Sequence, residues 1–232
     1  MTSSYVPAAG RVGSTRMYDR SIAVTMREER WRPALCEHAL RDVPEGGHVV
    51  DVGAGTGTLA ILLAQARPDV TVTGVDGDEE ILGLARAKPG ADRVGWRSGL
   101  ADALPLETDA ADAVVTSLVM HHLDLATKRR ALQEMARVLR PGGRLHIADW
   151  GRPATPLLRA SFFVLQVLDG FDGTRDHAAG RIPELVREAG FRDVRVLRRL
   201  PTAWGTLELL EAAAGGDVLE ADQIERPDME TR

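Results

Sequence analysis

The chain has 232 residues, 44% hydrophobic and 27% charged, with a formal net charge of −5 and one cysteine, Cys36. That length buries one substantial core, and no stretch rich in Pro, Gly or Ser divides it, so a single domain over residues 1–213 is expected. The composition excludes a disulfide framework, a cysteine-rich metal site and an overall positive field for nucleic acid; no apolar run is long enough to span a bilayer and the polar start is unlike a signal peptide, so a cytoplasmic protein is expected.

In chain order, residues 14–42 read as an N-terminal helical region interrupted at Pro33. An apolar strand, Val49–Val52, then runs into Gly53-Ala54-Gly55-Thr56-Gly57 and a helical stretch, Thr58–Ala66, that stops at Pro68. The glycines let the backbone turn sharply and approach a ligand where a side chain would collide, and the helix start points N–H groups at the same place. A second strand, Val70–Val75, ends at Asp76-Gly77. Asp76 lies twenty-three residues beyond Gly53, where a carboxylate can accept both hydroxyls of a ribose. The competing reading makes it a cap for the helix beginning at Asp78. Strand, glycine turn and acid together read as a nucleoside site.

Further strands are expected at Val94–Arg97, Ala113–Leu118, Leu145–Ala148, Phe191–Leu197 and Ala203–Leu210. Between the fourth and fifth, Lys128–Leu139 carries Leu132, Met135, Val138 and Leu139 at helical spacing before Pro141-Gly-Gly. This alternation predicts an α/β fold: a Rossmann-like, doubly wound, mainly parallel sheet with helices on both faces. Residues 150–182 hold Trp150, Phe162, Phe163 and Phe171, four of only ten aromatic residues. Segments 14–42 and 150–182 either cap the sheet or form a substrate lid, since ligands bind beyond the carboxyl ends of such strands. The polar, acidic tail 214–232 has no apolar period and should be disordered.

The turn reads G-x-G-x-G, not the G-x-G-x-x-G of dinucleotide sites, and no Tyr-x-x-x-Lys pair is visible. Asp51, just ahead of the turn, is poorly placed beside a pyrophosphate. It is well placed to hold the ammonium of S-adenosylmethionine, directly or through water.

Asp51–Gly57, Asp76, Gly99–Leu106, Ala113–Leu123 and Arg137–Asp149, read together, make residues 17–213 resemble a class I S-adenosylmethionine-dependent methyltransferase. The last two segments are most similar to the small-molecule branch that includes the ubiquinone and menaquinone C-methyltransferases, a branch that also holds O- and N-methyltransferases. The resemblance implies a seven-stranded sheet whose last strand is antiparallel. It also implies that Asp51, Gly53, Ala54, Gly55, Thr56 and Gly57 surround the methionine end of the cofactor and that Asp76 and Gly77 meet the ribose. Leu100 and Ala101 stand where the family often has Asp or Asn followed by Ala. The adenine amino group is therefore left to a backbone carbonyl, to Asp102 in a shifted register, or to water. Ser117 either contacts the cofactor or is an ordinary buried serine.

In-line displacement at a sulfonium methyl asks the protein to place the acceptor and, where needed, remove a proton. His122, with His121 as the fallback, is the expected base and Asp149 its support; otherwise the pair only shapes the pocket. His177 and Tyr18 are further candidates, while His38, His48 and His146 read as structural. The expected partner is a small-molecule methyl acceptor, with no nucleic acid, no metal and a monomer or homodimer. Two rivals are a non-catalytic cofactor-binding or regulatory protein and, more remotely, a nicotinamide-dependent oxidoreductase. Nucleic-acid amino methyltransferases normally carry Asn- or Asp-Pro-Pro-aromatic where this chain has Val119-Met120-His121-His122.

Overall fold

A computed structural model of the chain describes residues 27–215, in which valine-rich runs form seven strands. They are β1 (His48–Val52), β2 (Thr71–Asp76), β3 (Val94–Ser98), β4 (Ala111–Ser117), β5 (Leu139–Trp150), β6 (Arg192–Pro201) and β7 (Thr206–Ala213). Their order across the sheet is β3-β2-β1-β4-β5-β7-β6. All neighbours from β3 to β5 pair in parallel, and β7 runs antiparallel between β5 and β6. The Rossmann-like architecture with one antiparallel strand is as expected.

Successive residues of a strand face opposite sides of a sheet, and here both sides are apolar. Val49, Val115 and Leu209 pack on one face with Trp31, Leu35, Leu59 and Leu63. Val50, Val114 and Leu210 pack on the other with Leu132, Met135, Leu185 and Val186. The helices supplying these layers are α1 (Glu28–Leu40) and α2 (Thr58–Ala66) on the first face, α4 (Leu125–Val138) and α7 (Ile182–Glu188) on the second. The remaining helices are α3 (Glu79–Arg86), α5 (Pro156–Asp169) and α6 (Phe171–Ala179).

Some boundaries differ from the sequence reading. α1 is not interrupted at Pro33. A mid-helix proline forfeits one backbone hydrogen bond, but Trp31, Leu35, Cys36 and Ala39 are buried on the same helix and hold it to the sheet. β5 starts at Leu139, which pairs with Ala111 before the register shifts, so Pro141-Gly-Gly lies within an irregular strand rather than ahead of one. β7 begins at Thr206 rather than Ala203. Tyr18, the first part of segment 14–42 and nearly all of the tail lie outside the described residues. Among the described residues, no helix is long and apolar enough to cross a membrane.

Candidate active site

β1 is the point where the strand order reverses: the chain leaves it toward β2 and β3, then returns to place β4 on its other side. A crevice opens at the carboxyl ends of strands on either side of such a point. Here it is a cavity of about 600 Å³, walled by the residues that follow β1, β2, β3 and β4 and closed by the α5–α6 junction.

The glycine turn forms one wall. Gly53 and Ala54 donate their N–H groups to the Val75 carbonyl at 2.8 and 3.0 Å, so β2 braces the turn. Gly53 has φ +72°, and a Cβ there would meet the Val119 side chain after β4. Gly55 has φ +53°, and a Cβ there would enter open space at the cavity wall, the room a close-lying ligand needs.

Asp76 also faces the cavity. Its Oδ2 accepts the Gly55 N–H at 2.8 Å and its Oδ1 the Asp78 N–H at 2.9 Å. The cap of α3 is Asp78 itself, which accepts from Glu80 and Ile81. Asp76 thus retains lone pairs toward the cavity while it fixes the turn.

Asp51 stands behind this wall rather than in it. It is 1% exposed, and neither carboxylate oxygen has a hydrogen-bond partner among the described residues. Burial pushes its carboxyl up to about 7, against the pull of the Arg32 guanidinium and with a further push from Asp76. An unpaired buried carboxylate beside a cavity suits a cationic ligand and opposes an anionic one. Arg32 reaches the cavity from α1, pairing with Glu28 at 2.8 Å, while its buried Nε has no partner among the described residues. Sequence reasoning passed over it because α1 carries no motif.

Gly77, Leu100, Ala101 and Asp102 line the adjacent wall, as does Ser117 at the end of β4. Asp102 is held through Oδ2 by Arg130 at 2.9 Å.

After Ser117 the chain bends at Leu118, a non-glycine residue at φ +57°. Such a conformation costs on the order of 1–3 kcal/mol and persists where surrounding packing imposes it. It leads into a single 3₁₀ turn, Met120–His122, whose two histidines part company. His122 lines the cavity. Burial, aided by the neighbouring His121, lowers its imidazole to about 3, so it is neutral at ordinary pH and a weak proton acceptor. His121 is 4% exposed; its Nδ1 donates to Asp149 Oδ1 at 2.8 Å.

Asp149 therefore pairs with His121, the fallback of the expected pair, and not with His122. Asp149 also accepts the N–H groups of Met120 and Trp150, at 2.8 and 2.7 Å. Although burial opposes ionisation, the nearby His121 and His177 and these hydrogen bonds hold its carboxyl below the usual range.

His177 is fully buried behind His121 and donates from Nδ1 to the Trp150 carbonyl at 2.6 Å, away from the cavity. His48 is tied between the Ala110 carbonyl and Thr73, and His38 to Arg41. His146 is buried in the sheet, where desolvation lowers it to about 4. The α5–α6 junction brings Asp169 and Phe171 to the cavity, whereas Trp150 and Phe162 are packed in the core and Phe163 is exposed.

Residues 49–143 match the methyltransferase domain family. A ubiquinone/menaquinone biosynthesis C-methyltransferase from Syntrophotalea carbinolica is 31% identical over 188 residues, 72% of this chain and 77% of the relative. The chain belongs to the class I S-adenosylmethionine-dependent methyltransferases. The cofactor of this family is S-adenosylmethionine, and the orphaned Asp51 carboxylate and the open side of Gly55 fit it. A Geobacter sulfurreducens protein of the same description is 34% identical over 63% of this chain and 58% of its own length. A malonyl-[acyl-carrier protein] O-methyltransferase from Methylococcus capsulatus is 32% identical over 73% and 62%. The matches thus span only about three-fifths of these two relatives. Among solved structures, a complex of the Haloferax volcanii Trm112 activator with a methyltransferase aligns at TM-score 0.65, 25% identity and 88% and 96% coverage. A methyltransferase from Aquifex aeolicus aligns at TM-score 0.61 and 18% identity, over 88% of this chain and all of the other.

Proposed function

We propose that this methyltransferase transfers the methyl of S-adenosylmethionine to a small molecule held in the outer half of the cavity. One observation carries the reading: a single cavity joins the glycine turn and Asp76 to His122, Asp169 and Phe171. Bound there, the cofactor supplies a methyl already activated on a sulfonium, open to in-line displacement. The chain's own residues hold, orient and enclose. Asp76 accepts the ribose hydroxyls, Gly53–Gly57 admit the methionine end, and Asp51 balances its ammonium directly or through water. Leu100, Ala101 and Ser117 bound the nucleoside. Arg32 is the cation available to the methionyl carboxylate, and Arg32→Ala is expected to weaken binding of S-adenosylhomocysteine by about 1.5–3 kcal/mol, read by calorimetry.

His122, neutral and facing the cavity, receives the polar end of the acceptor, with Phe171 beside it as an apolar wall. Its low proton affinity makes positioning, not general-base catalysis with Asp149, the role we assign. Cavity size and the absence of an Asp-Pro-Pro-aromatic motif favour a small molecule over nucleic acid. The quinone and acyl-carrier relatives make a partly apolar acceptor the first class to try. The free, buried Cys36 agrees with a cytoplasmic protein, working as a monomer or homodimer. Purified protein incubated with methyl-labelled cofactor and acceptor pools should label at least one pool. Tight cofactor binding with no label in any pool would favour a non-catalytic binding protein.

A further inference from the structure

We propose that His121, His122 and Asp169 hold a divalent first-row transition ion at the acceptor end of the cavity. Their ligand atoms, one from each side chain, all lie within 4.8 Å of one another. His121 fixes the chemistry. Its Nδ1 is bound to Asp149 at 2.8 Å, which turns Nε2 toward Asp169, 3.8 Å from Oδ2. At 3.8 Å, Nε2 and Asp169 Oδ2 are too far apart for a direct hydrogen bond. That gap has room for a metal ion bound by Nε2 of the neutral imidazole and by the carboxylate. Zinc takes imidazole nitrogen and carboxylate oxygen at about 2.0–2.2 Å, which in a tetrahedral site separates ligand atoms by roughly 3.4 Å. Small side-chain rotations bring the set to that spacing.

The outer shell is already built. A carboxylate holding the far nitrogen of a metal-bound imidazole is the usual second partner, and Asp149 occupies that place with its remaining capacity taken by two backbone N–H groups. The helix that follows the third ligand is anchored on the histidine turn. Gly173 of α6 passes so close to the His121 carbonyl that no Cβ would fit, and buried Lys128 of α4 donates to the Gly173 carbonyl and to Asp176. Asp169, four residues before Gly173, ends α5 just ahead of this anchored helix. Two imidazoles with one carboxylate suit Zn²⁺, Fe²⁺ or Co²⁺ rather than Mg²⁺, and leave positions open toward the cavity. The local spacing announces none of this, because Asp169 arrives from a helix forty-seven residues downstream.

The ion's task, which rests on the proposed methyl transfer, is to bind an acceptor oxygen and fix it on the attack line. Metal binding itself does not depend on that reading. Tag-free full-length protein, stripped with chelator, is titrated with Co²⁺ under visible absorption and then with Zn²⁺ in competition. One ion per chain is expected, with d–d bands that Zn²⁺ displaces. Asp169→Asn, at an exposed position, should fold normally and bind Co²⁺ at least 10–100-fold more weakly, no less than the loss of an outer-shell partner costs. No Co²⁺ or Zn²⁺ binding below millimolar concentration, or equal affinity in the variant, overturns the site. S-adenosylhomocysteine is titrated into the same preparation by calorimetry. Binding of the nucleoside without metal defeats this proposal alone, whereas metal without nucleoside defeats the methyltransferase reading and leaves the metal site standing.

Discussion

Asp76→Ala is expected to weaken S-adenosylmethionine and S-adenosylhomocysteine binding by about 3 kcal/mol or more, which is roughly a hundredfold. Two losses combine. The ribose hydroxyls lose charge-assisted acceptors, together about 1.5–3 kcal/mol, and the Gly55 N–H loses the partner that fixes the glycine turn. Asp78→Ala is the matched control. It removes the true cap of α3, at a cost of about 0.5–2 kcal/mol in stability, and should leave nucleoside affinity within a few-fold. Calorimetry on both variants separates a ribose contact from helix capping. Equal losses of affinity in the two would return Asp76 to a structural role.

The second large effect belongs to Asp51 and depends on pH. In the cofactor-free protein its carboxyl lies near 7 because of burial, while in the unfolded chain it returns to the ordinary value of 3.8. Between those values the folded state carries the extra proton, so stability falls as pH rises through the window and is level above it. The full cost of ionising this group in place is on the order of 4 kcal/mol. Relative to wild type, Asp51→Asn should therefore gain stability from about pH 4 to about pH 7 and then level off, in denaturant unfolding at each pH. Ligand binding has the opposite sign. An ammonium favours the carboxylate, so S-adenosylhomocysteine affinity should rise by up to about tenfold per pH unit below 7 and flatten near 8, with release of a proton. Asp51→Asn should bind weakly at every pH. Wild-type affinity that is flat from pH 5.5 to 8 would show that Asp51 does not sense the ligand.

The cavity wall made by the glycine turn and Asp76 was legible because its determinants are local. Three glycines, a following helix and an acid at the end of the next strand are placed by a few backbone turns and the strand spacing of a parallel sheet. The sheet itself was legible from valine-rich runs, although the place of β7 between β5 and β6 was not, since edge order depends on long-range pairing. The rest of the cavity resisted. Arg32 and Asp169 come from helices whose orientation is set by packing, and nothing in their neighbours marks them as cavity residues. Leu118 hides a left-handed bend that its side chain does not advertise. That bend and the 3₁₀ turn after it decide which histidine meets Asp149 and which meets the cavity, a distinction invisible in the dipeptide His121-His122. Pro33 misled for the related reason that tertiary burial of Trp31 and Leu35 outweighs one lost backbone bond.

The central claim is that the cavity beside β1 is built for a methionine nucleoside. Calorimetric titration of the purified chain with S-adenosylhomocysteine, and separately with NADH, tests it most directly. One nucleoside site per chain, lost in Asp76→Ala and indifferent to NADH, is the predicted result. Binding of NADH with no binding of S-adenosylhomocysteine or S-adenosylmethionine would contradict it.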